Sequence, residues 1–331
     1  MDIGTRFERQ GITDTIRVAP RIGLAWTPFA NQLTTIRGGF GLFYDRVPLN
    51  VFGFNGYPEQ VVTTFGPNGE ITDGPRQFIN ITDRSLRKFP FLFRADVVGN
   101  FAPYSETWNV EVEHAVTKML RVRANYLQSN SFGLVIFTPT VVQGKDALVL
   151  GGGGKSGYNQ LELTARVALK DGQQLFFSYV HSRSRGDLNE FNNYLGNFPF
   201  PVVRPNSFTN LSGDLPNRFL SWGLIRLPWR MRIAPLIEWR NGFPYASTDE
   251  AQNFVGVPNQ TRFRNFFSLD SRVTKEFKLS DKYTLAFSVS SFNVTNHFNP
   301  LQVHSNIDDP AYGQFFGSHK RRFRLDFDVI F

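Results

Sequence analysis

The sequence contains no cysteine. That excludes disulfide scaffolds, cysteine-ligated zinc or iron–sulfur centres, and thiol catalysis. No stretch approaches the roughly 18 apolar residues of a membrane-crossing helix. The first ten residues, MDIGTRFERQ, are polar and charged and offer no apolar core of a secretory signal. Glycine (28) and proline (19) stay well below collagen-like or linker-like levels. Charged residues make up 19% against 41% hydrophobic, so the chain is not a disordered polyelectrolyte. These absences alone favour a soluble cytoplasmic protein; the patterning of what is present argues otherwise.

The 331 residues are 15% aromatic, with 35 Phe, and their dominant period is two rather than 3.6. In QLELTARVALK (160–170), Leu161, Leu163, Ala165, Val167 and Leu169 share one face, and Gln160, Glu162, Thr164, Arg166 and Lys170 the other. Segments 108–116, 119–126 and 283–289 repeat the alternation. The last residues are the cleanest: Phe323, Leu325, Phe327, Val329 and Phe331 against Arg322, Arg324, Asp326 and Asp328. About eleven strands follow, at 20–28, 33–44, 104–116, 119–128, 157–170, 173–183, 218–227, 230–240, 264–277, 282–293 and 320–331, many near the 9–11 residues of a membrane-spanning strand. Ordinary globular strands run about 5–6 residues.

The connections alternate as well. Short turns at 29–32, 117–118, 171–172, 228–229 and 279–281 interleave with long segments at 45–103, 129–156, 184–217, 241–263 and 296–319. An outer-membrane barrel has short periplasmic turns and long external loops, whereas a sandwich has no reason to gather every long loop at one end. A closed barrel satisfies its backbone in lipid without helices. Its alternating pattern keeps mean hydropathy mild, here −0.25. The expected fold is therefore all-β, a transmembrane antiparallel β-barrel, with 1–19 as an external loop or partial strand and 20–331 as barrel.

Specific strings carry a family resemblance. PRIGLAWTPFANQLTTIRGGFGLFYDR (20–46), GKSGYNQLELTARV (154–167) and FFSLDSRVTKEFKLSDKYTLAFSVSSFNVTNHFNP (266–300) resemble barrel hairpins of TonB-dependent outer-membrane receptors of the Oar-like, carboxypeptidase-regulatory-domain type. The terminal RRFRLDFDVIF resembles the β-signal read by the barrel assembly machinery, with Phe323, Leu325, Phe327, Val329 and Phe331 as its apolar residues. The resemblance implies a bacterial outer-membrane location and a receptor of about 22 strands. It also implies a plug and coupling to an inner-membrane energy complex. About eleven strands is an odd count whose first strand would begin at the external end. The chain is therefore expected to be the C-terminal half of such a barrel, a fragment with open sheet edges.

GGGGKS (151–156) imitates a phosphate loop, but the glycine needed at 149 is Val149 and the period-two segment that follows is no helix. A loop before a strand is the better account. The five histidines show no metal spacing; His297, His304, Asp308 and Asp309 share one polar loop. Glu111 and Glu113 imitate paired catalytic carboxylates but fit a polar barrel interior. Lys and Arg (36) exceed Asp and Glu (28), giving +8, without a nucleic-acid-binding motif.

The resulting expectation is a non-enzymatic receptor for a scarce, bulky solute, with no catalytic residue, metal or cofactor and no nucleic-acid partner. Its partners would be outer-membrane lipid and lipopolysaccharide, the assembly machinery, the TonB-type complex and an unspecified small-molecule, oligosaccharide or peptide ligand. Loop aromatics Phe52, Phe54, Tyr57, Phe191, Tyr194 and Phe198 are the candidate ligand contacts, although the same rings could serve to pack the loops. The alternatives are a stand-alone porin-like or adhesin-like barrel and a soluble all-β carbohydrate-binding module.

Overall fold

The computed structural model describes residues 1–10, 15–83, 101–191 and 203–331. Among these, the chain forms nineteen strands, β1 to β19 in chain order, and twelve of them build one wall. The wall strands are β1 (Asp2–Gln10), β2 (Thr15–Trp26), β3 (Thr34–Tyr44), β6 (Tyr104–Ala115), β7 (Leu120–Val142) and β8 (Lys145–Ala168), followed by β9 (Gln174–Asp187), β11 (Asn217–Leu227), β12 (Met231–Arg240), β15 (Phe266–Lys278), β16 (Thr284–Phe292) and β19 (Arg322–Ile330). The remaining strands belong to the connections: β4 (Gln60–Phe65), β5 (Ile71–Thr82), β10 (Phe208–Asn210), β13 (Pro244–Tyr245), β14 (Thr261–Arg262), β17 (Pro300–Val303) and β18 (Phe315–Ser318).

Each wall strand pairs antiparallel with the next, so the wall is an uninterrupted meander from β1 to β19. Left-handed residues close the short turns: Gln32, Asp171 with Gly172, and Trp229 with Arg230 all have positive φ. Gly172 fits this conformation without strain, because it has no Cβ.

Registered partners point to the same side of the sheet. One face carries Val112, Ala124, Leu163, Tyr179 and Phe219 in a row across five strands. The other carries Glu113, Arg123, Thr164 and Ser178. The apolar face is not covered by protein: Leu163 is 44% exposed and Phe327 68%. In water such a face would be a severe liability; in a bilayer it is the face that lipid covers.

One open reading is decided and two expectations change. Of the loop and the partial strand expected within 1–19, the strand is found: Asp2–Gln10 pairs with β2 over its whole length. Its alternation is weak because Thr5 and Arg9 share the face of Ile3 and Phe7. The twelfth strand also reverses the orientation argument, because β1 then begins at the short-turn end, where β19 finishes. Secondly, 129–156 is largely strand. β7 and β8 continue past the wall as a hairpin of 23 and 24 residues, turning at Gln143–Gly144. Thirdly, GGGGKS lies inside β8 rather than in a loop. A Cβ on Gly154 would meet Ile136 Cγ2 at 2.5 Å and the Leu134 carbonyl at 2.8 Å, so glycine there admits the bulged β7 backbone. Among the described residues the sheet is open: β1 pairs only with β2, and β19 only with β16.

The main protein-covered core is in the connections rather than the wall. Val47, Val51, Phe54, Phe78, Phe101, Val135, Phe137, Leu148, Leu150 and Phe191 form one buried cluster. It gathers the helical segment Leu49–Gly56 of the first long connection, β5, and the β7–β8 extension. β5 adds to β8 as a parallel neighbour, Ile79–Thr82 against Ala147–Leu150.

Candidate functional site

Two features converge at the loop end: a charged inner wall leading to it and a folded mouth above it. The wall is built by period two. Strands β3, β6, β7 and β8 turn Arg37, Glu111 and Glu113, Arg121 and Arg123, and Glu162 to the same side. These residues form a continuous ion-pair ladder. Arg37 meets Glu111 at 2.6 Å and Glu113 at 3.5 Å; Arg121 meets Glu113 at 2.9 Å; Arg123 bridges Glu111 (3.3 Å) and Glu162 (2.9 Å). The far half of the sheet repeats the device with Arg218–Glu238 (3.0 Å), Arg232–Glu276 (2.7 Å) and Arg272–Asp326 (3.3 Å). Each pair is partly exposed and worth only about 0.2–1 kcal/mol. The consequence is a hydrated wall on which every one of these carboxylates is already engaged. Glu111 and Glu113 thus belong to a lattice of arginines, not to a catalytic pair.

The mouth is held by the buried cluster and by polar ties. Arg76 on β5 makes a two-pronged contact with Asp146 at the hairpin tip (3.0 and 2.7 Å). Asn189, 5% exposed, donates to the carbonyls of Phe137 (3.3 Å) and Arg204 (2.7 Å). Asn80 donates to the Tyr57 carbonyl, and Thr82 to Asn55. A cavity of about 280 Å³ opens beside this core, lined by Asp45, Arg46, Pro48, Pro103, Leu134, Val135, Glu190 and Phe191. Burial raises the Asp45 carboxyl above its ordinary range against the pull of Arg17. Burial also raises Glu190, and the Asp45 charge adds to that shift. The polarity of this mouth was not legible in the sequence, because Asp45 and Glu190 are far apart in the chain and neither sits in a motif.

The candidate ligand contacts separate by burial. Phe54 (3% exposed) and Phe191 (1%) are inside the cluster, against Phe137 at ring distances of 5.1 and 5.4 Å. There both rings pack loops together, and Phe191 also borders the cavity beside the core. Phe52 and Tyr57 lie at the rim of the same cluster, half-buried. Tyr194 and Phe198 fall outside the described residues. The terminal Phe323, Leu325, Phe327 and Val329 point from β19 to the apolar side, opposite Ser291, Val289, Phe287 and Leu285, and Phe331 follows the strand.

The polar loop of His297 and His304 divides its groups among separate turns. His304 Nδ1 meets Asp309 Oδ2 at 2.7 Å, His297 Nδ1 meets Asn299 Oδ1 at 3.0 Å, and Asp308 accepts the Glu250 N–H. The Ala311 backbone N–H and then His304 hold Asp309 below its usual range. Among the described residues, no cluster of three or more such side chains is placed to hold a metal. Among the described residues no helix is long and apolar enough to cross a membrane, which says nothing of strands.

The family described as outer membrane beta barrel domain matches residues 6–243. No curated protein matches the sequence. Solved structures match through nearly the whole chain. The outer membrane transporter YddB from Escherichia coli aligns with a TM-score of 0.63 at 15% identity, over 99% of this chain and 42% of its own. A ferric enterobactin receptor from Pseudomonas aeruginosa, solved with enterobactin, gives 0.60 at 13%, over 99% and 42%. The FrpB iron transporter from Neisseria meningitidis gives 0.53 at 13%, over 94% and 38%. At such identities the likeness is one of fold, and the chain spans less than half the length of each.

Proposed function

Since this chain belongs to the outer membrane β-barrel domain family and is an outer-membrane protein, we propose that it forms part of the wall and mouth of a TonB-dependent receptor that takes up a bulky solute. The observation that carries the reading is the folded mouth. A passive pore needs a polar lumen and gains nothing from a ten-residue core in its external loops. A receptor needs such a core to hold its contact residues in place before the ligand arrives. The fold neighbours, themselves transporters or receptors, support this class. No covalent chemistry is assigned to the chain. Phe52 and Tyr57, at the rim of the mouth core, are the ligand contacts retained from the sequence; Tyr194 and Phe198 remain proposed with them. Phe323, Leu325, Phe327, Val329 and Phe331 serve the assembly machinery.

The test is uptake by the native bacterium. A deletion strain and a strain lacking the energy-coupling protein are compared with wild type for accumulation of labelled ferric siderophores, oligosaccharides and peptides. Loss of the same solute in both strains supports the receptor. Uptake that needs this gene and not the coupling protein, together with solute-permeable proteoliposomes, supports the porin-like alternative instead.

A further inference from the structure

The far half of the mouth has a second folded part. Past the ends of β12 and β15 the antiparallel pairing continues. Arg240 faces Phe266, Pro244 faces Arg262, and the Phe263 N–H donates to the Phe243 carbonyl (2.9 Å). That register sets Gly242 opposite Arg264. The rings of Tyr245, Phe263 and Phe315 close on one another at centroid distances of 5.5 to 6.3 Å. They join the connection between β12 and β15 to the one between β16 and β19. Thr248 fastens the two again: its N–H donates to the Ser305 carbonyl (2.9 Å), and its carbonyl accepts the Ile307 N–H (2.8 Å).

A cavity of about 280 Å³ opens beside this cluster, among Arg240, Phe243, Phe263, Arg264, Phe266 and Leu301. Gly242 is part of its wall, where a Cβ would collide with the Phe263 backbone. Both charged groups of the lining are cations. Arg240 lies between the Phe243 and Phe266 rings, 4.6 and 4.3 Å from their centroids. Arg264 is exposed and rests over Phe315 at 5.6 Å. The acids of the adjoining strands and loops are already engaged. Glu238 stands 3.5 Å from Arg240 Nε and is held at 3.0 Å by Arg218. Asp270 accepts from the Ser268 hydroxyl and the Asn293 N–H, and Asp214 pairs with Arg262. The Asn299 amide, also at the wall, is spent on both backbone groups of Phe267. Among the described residues, Arg264 therefore meets no carboxylate, and the terminal nitrogens of neither guanidinium have a hydrogen-bond acceptor. Further along the same inner wall, Arg166 and Arg226 also meet no described carboxylate; Arg166 donates to Gln174 instead (2.9 Å).

Planar guanidinium forks match a carboxylate, and an apolar lining with a few polar groups is how small-molecule sites are built. We propose that this cavity binds a carboxylate carried on an apolar body about the size of one amino-acid residue, such as the C-terminal residue of a peptide. The carboxylate accepts charge-assisted hydrogen bonds from Arg240 and Arg264. The apolar body lies among Phe243, Phe263, Phe266 and Leu301. The aromatic cluster and the Thr248 ties hold both arginine-bearing segments before the ligand arrives, so little ordering is left to binding. The role of this cavity in uptake rests on the receptor reading above; its binding chemistry does not.

The test titrates the full-length protein in mild detergent with three probes, N-acetyl-phenylalanine, its uncharged amide and phenyl phosphate, and reads binding by saturation-transfer NMR. N-acetyl-phenylalanine should bind saturably and its amide on the order of tenfold more weakly or worse. Arg264→Gln should weaken the acid by a similar factor and leave the amide unchanged, while Arg264→Lys should keep most of the preference for the acid. Phe243→Ala should weaken both. The Arg264 side chain is exposed and pairs with no described acid, and heat-modifiable gel mobility verifies the fold of each variant. Equal affinity for acid and amide, unchanged acid affinity in Arg264→Gln, or tighter binding of phenyl phosphate would each overturn the proposal. Energy-coupled uptake that depends on this gene, with no binding of the acid, refutes this site and leaves the receptor standing. Saturable, Arg264-dependent binding with uptake indifferent to the coupling protein supports the site and removes the receptor.

Discussion

Replacing Phe137 with alanine probes whether the external connections fold as one unit. Phe137 is fully buried, stacks on Phe191 at 5.4 Å and tilts against Phe54 at 5.1 Å. It sits on β7 beyond the wall, where its backbone N–H binds the Asn189 carbonyl (2.9 Å). Truncating a buried phenylalanine costs about 3–5 kcal/mol. None of that cost falls on the wall strands, whose apolar face is covered by lipid. Local opening of the mouth should therefore become more frequent by about two to three and a half powers of ten, at a factor of ten per roughly 1.4 kcal/mol. Where opening and closing outpace cleavage, proteolysis follows the open population. Intact cells treated with trypsin or proteinase K should lose the loops at a correspondingly faster rate, while the barrel keeps its heat-modifiable mobility in gels. Phe52→Ala, at the half-buried rim, should have a much smaller effect. Unchanged loop cleavage in Phe137→Ala would refute a cooperative mouth. Loss of the folded barrel band would show that the loop core and the wall are not separable.

Other consequences can be checked alongside. Phe327→Asp places a charge on the lipid face of β19, beside Phe287 at 4.9 Å, and should cost less than the about 2–4 kcal/mol of an Arg or Lys at the bilayer midplane; outer-membrane levels should fall, and normal levels would contradict the assignment of that face. Gly154→Val should disrupt the β7–β8 extension, because its Cβ would sit 2.5 Å from Ile136 Cγ2; faster loop proteolysis with an intact wall is the expected readout. Asp45 and Glu190 have carboxyls raised by burial, so the folded mouth holds their protons more tightly than the unfolded chain does. Their burial as charges therefore destabilises the mouth at neutral pH, and this penalty disappears as pH falls through their raised values. Asp45→Asn should accordingly make the loops more protease-resistant at pH 7.5 and give no advantage near pH 4; a gain that persists in acid would contradict the sign.

The wall was legible because lipid and lumen impose opposite demands on successive residues. Leu161, Leu163, Ala165 and Val167 alternate with Glu162, Thr164 and Arg166, and no other arrangement places both sets correctly. The one wall strand left open between loop and partial strand, β1, has Thr5 and Arg9 among its lipid-side residues, so its pairing with β2 supplies what its own pattern does not. Strand length misled in the other direction. The wall explains segments of about 9–11 residues, and nothing in that picture calls for 23-residue strands. Their upper halves follow different rules: Val135 and Phe137 alternate toward a protein core, not toward lipid, and the glycines of GGGGKS accommodate a close backbone approach.

The same difference explains why the mouth was harder to read than the wall. An aromatic residue in a long loop has two uses, to meet a ligand or to hold the loop, and composition does not separate them. Burial does. Phe54 and Phe191 belong to the second use because ten side chains from three long connections close around each other. That closure depends on contacts between positions as distant as Val47 and Phe191, set by the β7–β8 hairpin rising above the wall and by β5 pairing alongside it. The sequence carries the local cues for each piece, such as the turn at Gln143–Gly144, but not the register that brings the pieces together. A mouth of this kind is specified by the wall beneath it. The wall fixes where each loop starts and ends, short connections at one end leave the long ones neighbours at the other, and loops held so close bury their phenylalanines against one another instead of leaving them in water.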